Sequence, residues 1–362
     1  MKSRISLISL PLLALLSSQG ASAGIISQPT VERTAPDAVT IRWADKSAVD
    51  VFEADRADAD IASAKLVSGK DKDGKAEVKV GEAARPYFLL RDTKTGEVSK
   101  VAERVVPLHQ GSNFRDIGGY ETDIGKHVRW GMIYRSGGQP LLTDADVQEV
   151  KGLGLANLVD LRSNEERSLA PTRLDGIPYK AVGYSMGSMM AAGGGKIGQN
   201  SGNPMDGVEK VYRKFPTQLA PQVRLVFHTL LSKEGPLVYN CSAGQDRTGF
   251  TTGLILSALG VPRATIYADY ALSPVYRRPE WEMPKIDDAT AQSNAAAAYF
   301  ARFQKNPAAG KPQILATPEG KPYLAFALEQ IDAQWGSVDT YLQNEIGLTS
   351  IDLAALRANY TE

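Results

Sequence analysis

Cys241 is the only cysteine in the 362-residue chain, and five residues separate it from Arg247 in the run Asn240-Cys241-Ser242-Ala243-Gly244-Gln245-Asp246-Arg247-Thr248-Gly249. The run lies between an apolar strand pattern at 236–240 and an apolar helical pattern at 249–259. A loop of this length can curl so that the backbone N–H groups of Ser242, Ala243, Gly244, Gln245, Asp246 and Arg247 converge on phosphate oxygens, while the following helix adds positive potential. The guanidinium of Arg247 can close the cradle with a planar fork. With no phosphate bound, the same donors favour a thiolate at Cys241. This set suits nucleophilic attack on phosphorus through a phosphocysteine, with Asp246 as candidate acid for the leaving oxygen and later base for water. Thr248 could donate to the sulfur or satisfy the start of the helix. The bland alternative for Cys241 is a buried structural thiol.

Positioning such a loop requires a scaffold, and from 108 onward strand patterns alternate with helical ones, the texture of an α/β domain. Thr143 reads as an N-cap for a helix ending near Gly152, with Asp144 and Asp146 in its first turn. A buried strand is predicted at 155–161 and an amphipathic helical stretch at 208–231, divided by Pro216 and Pro221. Helices are predicted at 249–259, closed by Gly260, and at 264–272, with three more in the tail at 323–335, 337–344 and 352–359. Residues 184–207, rich in methionine and glycine without a period, read as a mobile lid, and 273–321 as a second inserted lid segment. The α/β portion is thus 107–362.

Ahead of it, 24–106 carries short alternating strand patterns at 39–43, 49–52, 76–80 and 87–90, with turn chemistry at 69–74 and 93–96. This predicts a small β-sandwich that resembles a fibronectin III or immunoglobulin-like module, with a general accessory sheet equally compatible, and it could bind a partner or surface or serve solubility. Residues 1–23 pair Lys2 and Arg4 with an apolar run at 5–16 and Ala21-Ser22-Ala23, the pattern of a cleavable signal peptide. The expectation is an exported protein, periplasmic or secreted, starting at Gly24 and without a transmembrane anchor. Lysine plus arginine balances aspartate plus glutamate at 41 each, so charge points to no nucleic-acid partner. His109, His127 and His228 are scattered, with His228 read as a core residue, and no metal site is expected. The glycines at 193–195 lack the lysine of a nucleotide loop, so no cofactor is expected either.

Four further segments fall in order along the chain: Asn113-Phe114-Arg115-Asp116-Ile117-Gly118-Gly119-Tyr120, Tyr134-Arg135-Ser136-Gly137, Leu158-Val159-Asp160-Leu161-Arg162-Ser163 and Asp269-Tyr270-Ala271-Leu272-Ser273. Together with the loop they resemble the cysteine-based protein tyrosine phosphatase superfamily, in particular bacterial tyrosine phosphatases with an Ala-Gly-x-Asp-Arg-Thr-Gly loop. The resemblance spans roughly 108–360 and implies a central, mostly parallel sheet flanked by helices, with Asp246 as the acid. Asp160 could pair with Arg247 or Arg162 and hold the cradle, and Arg115, Asp116 and Arg135 could shape the pocket floor or hold a loop. Asn240 stands where the family usually has histidine. Gln245 stands where many members have the lysine associated with phosphoinositides, which favours phosphotyrosine over phosphoinositide, inositol phosphate or sugar phosphate substrates. A sulfurtransferase, or a phosphate-binding protein without turnover, would not need the cysteine, the acid and Asp-Arg-Thr-Gly together.

Overall fold

In the computed structural model, the described residues are 26–44, 47–81, 85–187, 204–306, 311 and 313–362. The signal-like segment 1–23 and residues 188–203 of the first expected lid lie outside them. The chain opens with seven strands: β1 (Ser27–Ala35), β2 (Ala38–Ala44), β3 (Val49–Ala54), β4 (Lys65–Asp71), β5 (Lys75–Lys79), β6 (Tyr87–Asp92) and β7 (Val98–Ala102). They form two antiparallel sheets, ordered β1-β2-β5 and β4-β3-β6-β7. Alternation does the work in β2, where Val39, Ile41 and Trp43 turn inward and Arg42 and Ala44 face solvent. These residues meet Val49, Val51, Phe88 and Leu90 of the other sheet in one hydrophobic cluster. Gly69 was expected in a turn; it lies inside β4, and the turn follows at 72–74.

The second sheet has the order β11-β10-β12-β9-β8, built from β8 (Arg115–Asp116), β9 (Ile133–Ser136), β10 (Asn157–Asp160), β11 (Tyr179–Ala181) and β12 (Leu237–Asn240). Four strands run parallel, and β8 is the antiparallel edge. Each central strand buries both faces. Ile133, Val159, Leu237 and Tyr239 enter one core, and Tyr134, Leu158 and Val238 the other. The smaller core is covered by α1 (Asp144–Gly152), whose N-cap Thr143 forms a capping box with Asp146, and α2 (Asn164–Leu169) follows β10.

The larger core is covered by α3 (Pro204–Gln218), α4 (Ala220–Ser232), α5 (Asp246–Ala258), α6 (Arg263–Ala271) and, after short helices over 273–305, α10 (Tyr323–Trp335), α11 (Val338–Asn344) and α12 (Ser350–Tyr360). Those short helices are α7 (Ser273–Tyr276), α8 (Asp288–Ser293) and α9 (Ala295–Lys305). Pro216 does not divide the helical stretch. It sits near the end of α3, where few following residues depend on it, and the break comes at Leu219, before Pro221 in the first turn of α4. His228 is not a core residue: it occupies the solvent face of α4, while Phe227 and Leu230 take the buried one.

Buried Arg85 joins the strand-rich N-terminal part to the parallel sheet, alongside Arg104, which donates to the Asp116 and Gly118 carbonyls, and Trp130, which donates to the Lys100 carbonyl. Arg85 donates to Asp116 at 2.9 Å, to the Glu103 carbonyl at 2.7 Å and to the Tyr87 hydroxyl at 3.1 Å, and its guanidinium lies near the rings of Trp130 and Tyr134. Asp116 also accepts from the N–H groups of Gly118 and Gly131. Removing Arg85 strands a buried carboxylate. Arg85→Met should therefore lower unfolding stability by about 3–5 kcal/mol in a denaturant titration; a loss below about 1 kcal/mol would mean that the two parts are only loosely joined.

Candidate active site

The parallel strands β9, β10 and β12 all end on one side of the sheet, and Cys241 begins the loop that leaves β12 there. Cys241 is 2% exposed, at the base of a cup rather than on the surface. The loop's carbonyls point away from the cup and are all bonded. Ser242 O accepts from Gly138 N at 2.8 Å. Ala243 O and Gly244 O accept from the Asn113 amide at 3.1 and 2.9 Å, and Gly244 O also from Arg135 Nη2 at 2.8 Å. Because a trans peptide directs its N–H opposite its C=O, the N–H groups of Ala243, Gly244 and Gln245 must face the concave side. Helix α5 starts at Asp246, three residues before the predicted start, so the N–H groups of Asp246 and Arg247 are unsatisfied first-turn donors. Among the described residues none accepts from the N–H groups of Ser242, Ala243, Gly244, Gln245, Asp246 or Arg247. Gly244 has φ +66°, and a Cβ there would lie 2.7 Å from the backbone of Ser136 and Gly137. Only glycine fits.

Beneath the loop lie two fully buried arginines and one aspartate. Asp269 accepts from Arg135 Nη1 at 2.5 Å, Arg115 Nε at 3.3 Å and the Tyr120 hydroxyl at 2.9 Å, while Ser273 Oγ accepts from both arginines at 3.2 Å. Burial alone would raise the Asp269 carboxyl, but the flanking guanidiniums of Arg115 and Arg135 hold it well below the usual range. Two cations against one anion leave positive potential directly under a site suited to a dianion. Arg115 also donates to Asn113 Oδ1, so the residue that ties two loop carbonyls is itself held by the buried cluster. Asn113 adopts φ +55°, a left-handed backbone that asparagine tolerates better than most residues.

Arg247 is paired with Glu166. Its Nη1 donates to Glu166 Oε2 at 2.7 Å and to the Tyr184 hydroxyl at 2.7 Å, and its Nη2 to Glu166 Oε1 at 2.6 Å. A guanidinium has five N–H donors, so these bonds leave Nε–H and the second Nη2–H, the side fork, for a phosphate. Glu166 thus orients Arg247 without exhausting it. Glu166 Oε1 also accepts from Ser242 Oγ at 2.6 Å, and its Oε2 from the N–H of Ser163 within the capping box of α2. Burial would raise this carboxyl, but Arg247 outweighs burial and holds it at about 2.

Asp246, half-buried at the rim, receives a hydrogen bond on Oδ1 from Tyr212 of α3, whose hydroxyl is 2.5 Å from that of Tyr270. On the other side Gln245 accepts from Arg277 Nη1 at 2.8 Å, and Arg277 is paired through Nε and Nη2 with Glu282, both at 2.8 Å. Ser112 and the N–H of Asn113 bind Glu282 and the Tyr276 carbonyl, which fastens the first part of the second expected lid against the loop.

The other expected site residues fall as follows. Of its two expected partners Asp160 takes Arg162, at 2.7 Å, and it also accepts from Tyr179, while Glu166 occupies the guanidinium of Arg247. Asp116 faces Arg85 rather than the pocket. The Thr248 hydroxyl is buried without a hydrogen-bond partner among the described residues, so it meets neither the sulfur nor a backbone donor. Arg115 and Arg135 do lie under the loop. Sequence reasoning did not single out Glu166, Tyr184 or Tyr212 and gave no role to Asn113 or Asp269. The Ser163-x-x-Glu166 spacing signals a helix start, but not a partner 81 positions away.

The Glu166 carboxyl is depressed in the folded state, so its contribution to stability is complete above its unfolded value and is lost as pH falls through the folded one. The stability gap between wild type and Glu166→Gln should accordingly narrow between about pH 5 and pH 2 in denaturant titrations. At neutral pH the variant should lose about ten- to a hundredfold in kcat/KM through misorientation of Arg247. An unchanged kcat/KM would rule out the orienting role.

Among the described residues no group of three or more histidine, cysteine, aspartate or glutamate side chains could hold a metal ion, and no helix is long and apolar enough to cross a membrane. A protein of Cupriavidus necator named as a tyrosine-protein phosphatase is 33% identical over 253 residues, covering 69% of this chain and 85% of that one. A triple specificity protein phosphatase, PtpB, of Mycobacterium tuberculosis is 28% identical over 271 residues, covering 64% and 90% of the two chains. A tyrosine-protein phosphatase of Nostoc commune is 27% identical over 220 residues, covering 60% and 69%. Residues 106–362 match the tyrosine phosphatase family, a span that includes the loop, both buried arginines, Glu166 and Asp269; the chain therefore belongs to that family.

Proposed function

We propose that the protein hydrolyses phosphotyrosine through a phosphocysteine on Cys241, with Arg247 gripping the phosphoryl group and Asp246 moving the proton. The observation that carries this reading is the cup of inward N–H groups around a buried thiol, held by outward carbonyls that are all bonded to the body of the protein. Donors fixed in advance toward a position where negative charge gathers cost no reorganisation during reaction. In the first step Cys241 Sγ attacks phosphorus in line, the S–P bond forms as the P–O bond to the tyrosine breaks, and Asp246 gives its proton to the departing phenoxide. In the second, water attacks phosphorus and yields a proton to the Asp246 carboxylate. The S–P bond breaks, inorganic phosphate leaves and the thiolate returns.

Phosphotyrosine fits better than a multiply phosphorylated lipid because, among the described residues, neither position 245 nor its hydrogen-bonded neighbour adds a surplus cation at the loop. Position 245 is a glutamine, and the neighbouring Arg277 is matched by Glu282 in a two-bond pair. We also propose that the chain is exported and begins at Gly24, supported by Lys2, Arg4, the apolar run and Ala21-Ser22-Ala23.

Hydrolysis rates over phosphotyrosine peptides, phosphoserine peptides, phosphoinositides and sugar phosphates test the substrate class, with the enzyme recovered from periplasmic and cytoplasmic extracts and its mass measured. Phosphotyrosine peptides should be turned over fastest by a periplasmic chain whose mass starts at Gly24, and Cys241→Ser should be inactive on every member. Faster release from phosphoinositides would overturn the substrate assignment, and wild-type turnover by Cys241→Ser the covalent route.

A further inference from the structure

Tyr212 and Tyr270 form a buried pair of phenols directly behind the acid. The two residues are 3% and 1% exposed, and their hydroxyls lie 2.5 Å apart. Tyr212 is clamped between Phe215, Tyr270 and Tyr323, with ring centroids 4.8, 6.5 and 6.1 Å away, so its hydroxyl has little freedom to turn elsewhere. Tyr270 approaches the first turn of α5 so closely that a Cβ on Gly249 would lie 2.8 Å from its ring. A glycine in the signature loop is therefore what allows Tyr270 to reach Tyr212 and, through it, the acid. Burial and the neighbouring Asp246 both push the Tyr212 phenol well above its usual range, so at physiological pH it retains its proton and acts as a donor.

A phenol has one proton. Tyr212 gives that proton to Asp246 Oδ1, so the short contact to Tyr270 requires Tyr270 to be its donor. The relay thus points one way, from Tyr270 through Tyr212 to Oδ1. A carboxylate accepts there, and a carboxylic acid also accepts there provided that its proton is on Oδ2. A proton on Oδ1 would force both phenols to reverse in a tightly packed cluster.

We propose that Tyr212 is a positioning residue for the reaction, backed by Tyr270. It fixes the Asp246 carboxyl so that Oδ2 carries the transferable proton and faces the leaving oxygen in the first step and water in the second. This rests on the reading of Asp246 as the acid. The Tyr212 bond is the same before and after the proton leaves, so the acid can become a base without rotating.

The test is kcat/KM over aryl phosphates ranging from a dinitrophenol leaving group to a phosphotyrosyl peptide, for wild type, Tyr212→Phe, Tyr270→Phe and Asp246→Asn, with inhibition by inorganic phosphate measured alongside. Dinitrophenolate leaves as a stable anion and needs no proton, whereas the tyrosine oxygen does. Tyr212→Phe should lose about ten- to a hundredfold on the peptide and less than about threefold on the dinitrophenyl ester, with an unchanged phosphate inhibition constant. Tyr270→Phe should change in the same direction by a smaller factor. A uniform loss along the series in Tyr212→Phe, with Asp246→Asn showing the steep dependence, would overturn the positioning role and leave the acid in place. A flat series for Asp246→Asn itself would remove the acid reading and this proposal with it. Should Tyr212→Phe fail to fold, Tyr270→Phe decides by the same slope: a steeper dependence supports the relay and a wild-type slope overturns it.

Discussion

A loop that turns its N–H groups onto an anion must turn its carbonyls the other way, and inside a protein those oxygens need donors. In this molecule the donors are Gly138 N–H for Ser242, the Asn113 amide for Ala243 and Gly244, and Arg135 for Gly244. Much of the surrounding structure follows from supplying them. Asn113 reaches two carbonyls from a left-handed backbone that Arg115 and the Tyr276 carbonyl hold in place. Gly137 lets the chain after β9 run flush against Ser242 of the loop, and Gly244 has room only for hydrogen where it passes Ser136. The cup is therefore a property of three sequence-distant segments, closed by the parallel pairing of β9 with β12.

The charges are arranged in layers around that cup. The two guanidiniums below, against Asp269 alone, supply a positive field that is fixed and dry. Arg247 at the rim is held by Glu166 through one fork and presents the other. Buried charge carries a desolvation cost that only good geometry offsets, and the bidentate bonds here meet that condition. Arg85 repeats the arrangement on the far side of β8, where Asp116, adjacent in sequence to Arg115, locks the N-terminal sheets to the strand that feeds the site. The N-terminal part thus acts as a buttress for the phosphatase sheet.

The sequence carried the features that depend on neighbours along the chain. Thr143 and its capping box, the helix at Tyr323–Trp335 and the strand before Cys241 are local patterns of periodicity and capping, and they stand where those patterns put them. β1, β4 and β7 went unread, since mixed polar residues and a glycine inside β4 give weak alternation on strands at or near sheet edges. His228 was misplaced because an apolar helix still has a wet side. The same limit applies to the site. Cys241, Asp246 and Arg247 are legible because one loop holds them, but Glu166, Asp269 and Tyr212 meet that loop from separate helices, and no spacing rule links them. Of the two partners open to Asp160, Arg162 two residues away is the one it meets, while Arg247 is taken by Glu166 from a separate helix.

The central claim is that Cys241 takes the phosphoryl group covalently inside a cup built for it. Rapid acid quenching of the enzyme during turnover of a phosphotyrosyl peptide, followed by mass analysis of the Cys241-containing fragment, tests this most directly. The account predicts one added phosphoryl group on that fragment, appearing before free phosphate and decaying as phosphate is released. Phosphate release at full rate with Cys241 never modified, or with the label on another residue, would contradict it.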